Sequence, residues 1–264
     1  MGQRNALVTG GAKRLGREMA LYLGARGFNV AVHFASSGDA AAEVADKITG
    51  TGVKAAHLQA DLTHEAEMAP LIGRAAKALG GPLDLLINNA SIFEYDTVKT
   101  ADRSSWDRHM ESNLRAPFVL TQEFARQAPV AVKDERGEWV SQALVINMLD
   151  QRVRKLTPEY TSYTIAKMGL WAFTQTAARA LAPAIRVNAI GPGPTLIGDG
   201  QSEQSYAAQR AATVLGRGSN PADICAALGY FIDAVSVTGQ LLCTDGGQHL
   251  GWQTPDILGV KGSQ

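Results

Sequence analysis

Asp150, Tyr163 and Lys167 combine residue types that suit proton transfer. Tyr163 and Lys167 are four apart, so on a helix they share one face. A free tyrosine titrates near ~10 and is a poor acid or base at neutral pH. A lysine ammonium beside it favours the phenolate and is expected to lower that pKa toward the working range. Any helix also carries such pairs by chance, so the reading depends on the elements around it.

Those elements are legible. The apolar run Ala143-Leu-Val-Ile-Asn-Met reads as a buried parallel strand. Residues from about Tyr160 to Leu181 read as a long helix, with Ile165, Leu170, Phe173, Thr174 and Ala177 at helical spacing. Asp150 then stands at the carboxyl end of a strand, where open α/β sheets place their ligands.

Upstream, Asn5 to Val8 is a strand entering Thr9-Gly-Gly-Ala-Lys-Arg-Leu-Gly16, and a helix pattern follows to about Arg26. Strand, glycine-bearing turn and helix are the context of a dinucleotide fingerprint, with the helix N-terminus facing a pyrophosphate. A second strand, about Asn29 to Phe34, leads into His33-Phe-Ala-Ser-Ser37 with no acid before Asp39. An acid there would bind the adenosine ribose; without it, a 2′-phosphate is not repelled, and Arg14, Ser36 and Ser37 offer charge and hydroxyl donors. The expected cofactor is therefore NADP. The two serines also suit a helix cap.

The βα alternation continues: helix Asp39 to Thr49, strand Val53 to Gln59, helix His64 to Leu79, strand Leu83 to Ile87. Asp61, followed by Leu62, either accepts from an adenine amine or caps the next helix. The strand ending at Asn88-Asn-Ala-Ser91 places amide side chains to brace neighbouring backbone. Phe93 reads as exposed on a loop, stacking on a flat substrate or packing in the loop. Helices follow at Ser104 to Asn113 and Ala116 to Gln127, with Asn113 expected to serve a local hydrogen bond or kink. Val130 to Gln142 reads as a solvated loop. Ile185 to Ile190 is a strand ending in Gly191-Pro-Gly-Pro-Thr195, an irregular turn. Leu196 to Ser219, with a helix at Ser202 to Val214, is either a mobile lid or a surface excursion. A helix from Asn220 to Phe231 and a strand from Gln240 to Thr244 complete the pattern. The tail's Trp252, Pro255, Ile257 and Leu258 need cover, for which a neighbouring subunit is one source.

Composition narrows the function class. The chain has 264 residues, a formal net charge of zero and 45% apolar residues, enough for one large α/β domain. Nothing basic argues for nucleic acid or a membrane surface. Cys225 and Cys243 are far apart, so free buried thiols are expected and no metal site. The N-terminus runs straight into a strand and no apolar run reaches spanning length, so a cytoplasmic protein is expected.

Taken together, Thr9 to Gly16, Asn88-Asn-Ala, Asn113, Tyr163-Thr-Ile-Ala-Lys167, Gly191-Pro-Gly and Thr238-Gly-Gln…Asp245-Gly-Gly resemble the short-chain dehydrogenase/reductase family, in the right order from Asn5 to Gly247. The resemblance implies an α/β fold, a single Rossmann-like doubly wound domain (residues 1–264) with a seven-stranded parallel sheet flanked by helices. It also implies NAD(P)-dependent hydride transfer and a dimer or, as we expect here, a homotetramer. It carries cofactor contacts to Gly10, Arg14, Leu15, Gly16, His33, Ser36, Ser37, Asp61, Leu62, Asn89, Ala90, Ser91, Tyr163, Lys167 and Gly193. It carries catalysis to Tyr163, Lys167 and Asn113. Two departures from the family pattern, Arg14 for a glycine and Asp150 for the active-site serine, resemble pteridine and dihydromonapterin reductases, as does Asn-Ala-Ser-Ile-Phe93. That likeness adds Asp150 to the catalytic set and implies a pterin held by Arg14, Phe93, Asp150 and Tyr163. A basic residue common there is Ser36 here, which leaves more of the phosphate clamp to Arg14 and Ser37. An NADP-dependent carbonyl or alcohol reductase and a non-catalytic NADPH-binding sensor are the alternative readings.

Overall fold

The computed structural model describes residues 3–198 and 200–251. Seven strands form one parallel sheet in the order β3-β2-β1-β4-β7-β8-β9. They are β1 (Asn5–Val8), β2 (Asn29–Phe34), β3 (Ala55–Gln59), β4 (Leu85–Asn88), β7 (Ala143–Met148), β8 (Ile185–Pro192) and β9 (Leu241–Thr244). Between them run α1 (Arg14–Ala25), α2 (Gly38–Thr49), α3 (Glu65–Met68), α4 (Leu71–Leu79), α5 (Arg103–Met110), α6 (Ala116–Gln127), α7 (Thr161–Ala180), α8 (Glu203–Ala211) and α9 (Pro221–Asp233). The winding reverses between β1 and β4, the switch point at which doubly wound sheets bind ligands.

The central strands β1, β4, β7 and β8 are buried along nearly their whole length and mostly apolar, because both faces are covered. Ala6 and Val8 of β1 join the cluster under α1, α2 and α9, with Met19, Leu23, Ile48 and Phe231. Leu7, between them, points to the opposite cluster under α4, α6 and α7, with Leu71, Ile72 and Phe124. This two-residue alternation fixes which loops emerge together at the sheet's carboxyl edge. There β4 and β7 end abreast, Asn88 paired with Asn147. A buried amide ladder crosses them: Asn88 Nδ2 donates to Asn147 Oδ1 (2.9 Å), and Asn147 Nδ2 donates to Thr174 Oγ1 of α7 (2.9 Å).

Three expectations are corrected. Residues 64–79 are two helices, because Pro70 interrupts the ladder of backbone bonds at the start of α4. Residues 130–142 are not a plain loop but a short antiparallel hairpin, β5 (Val132–Lys133) on β6 (Trp139–Val140), turned by Gly137 at φ 79°. The helix after Met110 does not stop or simply kink at Asn113; it continues through one turn of π-helix, Glu111–Arg115, into α6. Among the described residues no helix is long and apolar enough to cross a membrane.

Candidate active site

The turn after β1 is built for close approach. Gly10 has φ 60°, and its amide donates to Nδ1 of the buried His33 (3.0 Å). An amide only donates, so that nitrogen accepts and the His33 proton sits on Nε2, which donates to Ala60 O (3.0 Å). Burial lowers the His33 pKa and keeps the ring neutral. Asn89 Nδ2 braces the turn by donating to Thr9 O (2.8 Å) and Gly10 O (3.2 Å). A side chain on Gly16 would put its Cβ 2.1 Å from Gly10 O, so only glycine fits there.

Arg14 stands where the family resemblance expects a glycine, and its backbone takes the glycine conformation, φ 52°. For a residue with a Cβ that geometry costs roughly 1–3 kcal/mol. The helix it starts has no side-chain cap and no acid in its first turn. Its N-terminus therefore offers free amides, a favourable dipole end and the exposed cations of Lys13 and Arg14 to an anion. The amides and the dipole end fit a dinucleotide pyrophosphate, and the two cations fit a further phosphate of the cofactor.

These residues open onto a cavity of about 490 Å³. Of the residues singled out above, Gly10, Arg14, Leu15, Gly16, His33, Asn89, Ala90, Ser91, Phe93, Asp150, Tyr163, Lys167 and Gly193 line it. Ser36, Ser37, Asp61, Leu62 and Asn113 are not among its lining residues. Ser37 precedes α2 but makes no cap hydrogen bond. Asp61 is engaged by the amide and hydroxyl of Thr63 (2.8 and 2.7 Å), so it caps the turn and not the helix, whose N-cap is His64. Asn113 is fully buried and brackets Ile92, which stands between the wall residues Ser91 and Phe93: its Nδ2 donates to Ile92 O (2.8 Å) and its Oδ1 accepts from Ile92 N (2.9 Å). Its site is therefore behind the wall, not in it. Gly193 is required by contact, since a Cβ would lie 2.6 Å from that of Asp245.

At the centre, Tyr163 (5% exposed) donates its hydroxyl to Asp150 Oδ2 at 3.1 Å. The other carboxylate oxygen, Oδ1, accepts from Arg152 N (2.8 Å) and caps the single 3-10 turn Gln151–Val153. One oxygen thus fixes the carboxylate and the other faces the tyrosine. Lys167 (2% exposed) donates to Met148 O (2.8 Å), with its Nζ 5.6 Å from the Tyr163 ring centre. The expected direction of the tyrosine pKa is reversed. Burial raises it well above the ordinary value, and the Asp150 charge and hydrogen bond raise it further. Burial lowers the lysine to about 8, with Asp150 opposing. The resting tyrosine is a protonated donor.

Phe93, 52% exposed, lines the cavity and also packs in its loop. Its ring stacks on Tyr160 (4.2 Å, 8°) and meets Tyr163 edge-on (4.7 Å). Among the described residues of the 196–219 segment, only Leu196 lines the cavity. Arg210 ties that segment to its own base, Nη1 donating to Pro194 O (2.7 Å) and Ser219 O (2.6 Å). Trp252, Pro255, Ile257 and Leu258 lie outside the described residues. Cys225 and Cys243 are free, and burial pushes both thiols up to about 11.

Residues 4–207 match the short chain dehydrogenase family model. The chain belongs to that family. A short-chain type dehydrogenase/reductase from Picea abies is 30% identical, covering 100% of this chain and 93% of the relative. The 3-oxoacyl-[acyl-carrier-protein] reductase FabG of Staphylococcus aureus is 28% identical over 94% of this chain and 98% of its own. Among solved structures, FolM alternative dihydrofolate reductase 1 from Brucella canis, complexed with NADP, is 40% identical with a TM-score of 0.88, covering 96% of this chain and 97% of that one. The angucycline C-6 ketoreductase LanV with bound NADP is 29% identical with a TM-score of 0.85, covering 94% and 96%.

In this short-chain dehydrogenase the sequence reading missed Lys13, Met148, Leu149, Pro192 and Thr195 on the cavity wall, and Tyr160 behind Phe93. Lys13 had a signal, its place beside Arg14 at the start of a helix. Tyr160 had none: it starts α7 at φ 57°, a left-handed conformation that no tyrosine announces.

Proposed function

We propose that this chain is an NADPH-dependent reductase of a dihydropterin or dihydrofolate-like C=N bond. The carrying observation is the Asp150 carboxylate 3.1 Å from the Tyr163 hydroxyl. A serine at that position would donate to a ketone oxygen, whereas an ionised aspartate only accepts and repels a developing alkoxide. A ring imine asks for something different: hydride at carbon and a proton at nitrogen. The 40% identity to a protein described as an alternative dihydrofolate reductase supports the same substrate class.

Bound NADPH supplies the hydride. Tyr163, held protonated, gives its hydroxyl proton to the ring nitrogen in step with its own reprotonation, so that no free phenolate builds up beside Asp150. Lys167, near pKa 8, resupplies that proton, and Asp150 orients the hydroxyl. Phe93 provides the flat face for the pterin and Asn113 sets its loop. Lys13, Arg14 and the start of α1 hold phosphate, and the missing acid after β2 admits the 2′-phosphate of NADP. The carbonyl-reductase alternative has the ketoreductase neighbour on its side but must account for Asp150. A homotetramer and a cytoplasmic location belong to the same proposal; the exposed Val98, Leu156 and Ile165 around one groove support an association face.

The test is Tyr163→Phe. Turnover of 7,8-dihydrobiopterin is expected to fall by about 10²–10⁴-fold, with NADPH affinity within about twofold, measured by NADPH consumption and by titration calorimetry. Retained turnover would remove Tyr163 as the proton donor.

A further inference from the structure

Behind the substrate wall lies a buried polar chain that the reaction does not use. His109 and Ser162 are 0% exposed and Asp96 is 2% exposed. His109 is the one buried residue of helix α5. Its Nδ1 lies 2.6 Å from Ser162 Oγ, and the Ser162 hydroxyl is hydrogen-bonded to the Asp96 carboxylate. Its Nε2 lies 3.1 Å from the amide of Glu94.

The direction of every bond follows from chemistry. The Glu94 amide only donates, so Nε2 accepts and carries no proton. The His109 proton therefore sits on Nδ1 and goes to Ser162 Oγ. The Ser162 hydroxyl, having accepted, donates to Asp96. The two ends of this chain are informative. Asp96 also accepts from Ser162 N (3.1 Å), and its carbonyl accepts from Tyr160 N (2.7 Å). It thus caps the first turn of α7, where Tyr160 itself supplies no side-chain cap. Glu94 adjoins Phe93, and Ser162 adjoins Tyr163. The chain ties the loop that carries the aromatic wall to the helix turn that carries the hydroxyl.

We infer that His109 is a positioning residue: through the Glu94 amide it sets Phe93 against Tyr163. Asn113 holds the loop on the other side of Phe93, at Ile92, so the ring sits between two buried clamps. Removing the His109 clamp leaves Phe93 anchored on one side alone. The kinetic part of this inference rests on the proposed roles of Phe93 and Tyr163; the structural part does not.

The two ring nitrogens can be replaced separately. In His109→Gln the amide oxygen reaches the place of Nε2, and in His109→Asn it reaches only that of Nδ1. With NADPH-loaded protein, amide hydrogen exchange at Glu94 is expected to speed up at least about tenfold in His109→Asn and to stay within about threefold in His109→Gln. The Gly10 amide, held by His33 in the same way, serves as the internal reference and stays unchanged in both. With 7,8-dihydrobiopterin, KM is expected to rise about fivefold to tenfold in His109→Asn and to be rescued by His109→Gln, with NADPH affinity unchanged. If His109→Asn does not fold, Ser162→Ala interrupts the chain at its middle and is expected to speed Glu94 exchange likewise. Equal Glu94 exchange in wild type and variants, equal losses in Asn and Gln variants, or NADPH affinity falling together with KM overturns the inference. Absence of wild-type turnover on dihydrobiopterin would instead overturn the pterin reading, and the exchange comparison would still decide the role of His109.

Discussion

The two walls of the cavity are each held by a buried neutral histidine, and they use opposite nitrogens. His33 accepts from the Gly10 amide through Nδ1, whereas His109 accepts from the Glu94 amide through Nε2. On the cofactor side the ring's two partners are the Gly10 amide in the glycine turn and the Ala60 carbonyl just after β3, both main-chain groups. On the substrate side the histidine is held by side chains from α7 and the loop after β4. The histidine on the cofactor side is thus held by main chain at both ring nitrogens, whereas His109 is held by main chain at one and by the Ser162–Asp96 side chains at the other, a pair that another sequence can rewrite. In the proposed function, binding of the cofactor rests on the first and choice of substrate on the second.

The largest effect that would break this contrast is expected at Gly16. Its alanine variant drives a Cβ to 2.1 Å from Gly10 O, and NADPH binding is expected to be lost in titration calorimetry. Native-like affinity would mean the turn is not rigid. Arg14→Ala is expected to weaken NADPH about tenfold to a hundredfold while leaving NADH nearly unchanged, the worth of about 1.5–3 kcal/mol for a charged hydrogen bond. Equal losses for both cofactors would move Arg14 from the 2′-phosphate to the pyrophosphate. Phe93→Ala is expected to raise the dihydrobiopterin KM by roughly twofold to tenfold, from about 0.5–1.5 kcal/mol of ring stacking, with NADPH affinity intact. A change in NADPH affinity there would erase the division between walls.

The smallest effect is on stability against pH. Burial lowers the pKa of both histidines, opposed by Ala60 O and Asp61 at His33, and by Asp96 and Glu94 at His109, while Arg74 at the former and Arg108 and Lys167 at the latter lower it further. The unfolded chain then binds more protons than the folded one below about 6.5. Stability is fully present above that pH and is lost as pH falls toward the folded values. The melting temperature is expected to drop a few degrees between about pH 7 and 5.5, and a His33→Gln, His109→Gln double variant is expected to flatten that slope. An unchanged slope would show that carboxylates set it.

The same contrast explains what the sequence disclosed. The central strands of the sheet were legible because buried parallel strands read as nearly continuous apolar runs. The glycine turn and the Tyr163–Lys167 spacing were legible because backbone conformation and helix pitch constrain them locally. Asn113 was legible as an oddity inside a helix, and the π-turn is its physical form. The His109 chain was not legible, since it joins residues 15, 53 and 66 positions apart. The tyrosine pKa was read in the wrong direction for a related reason: spacing placed a lysine on the same helix face, but only the fold shows that its ammonium turns to Met148 O and that burial dominates.

The most direct test of the central claim follows NADPH consumption by the wild type and Asp150→Ser, each offered 7,8-dihydrobiopterin and a simple aromatic ketone. Turnover of the pterin by the wild type, a fall of at least about tenfold in Asp150→Ser, and a shift of preference toward the ketone are expected. Wild-type turnover on the ketone alone, or an unchanged pterin rate in Asp150→Ser, would contradict the claim.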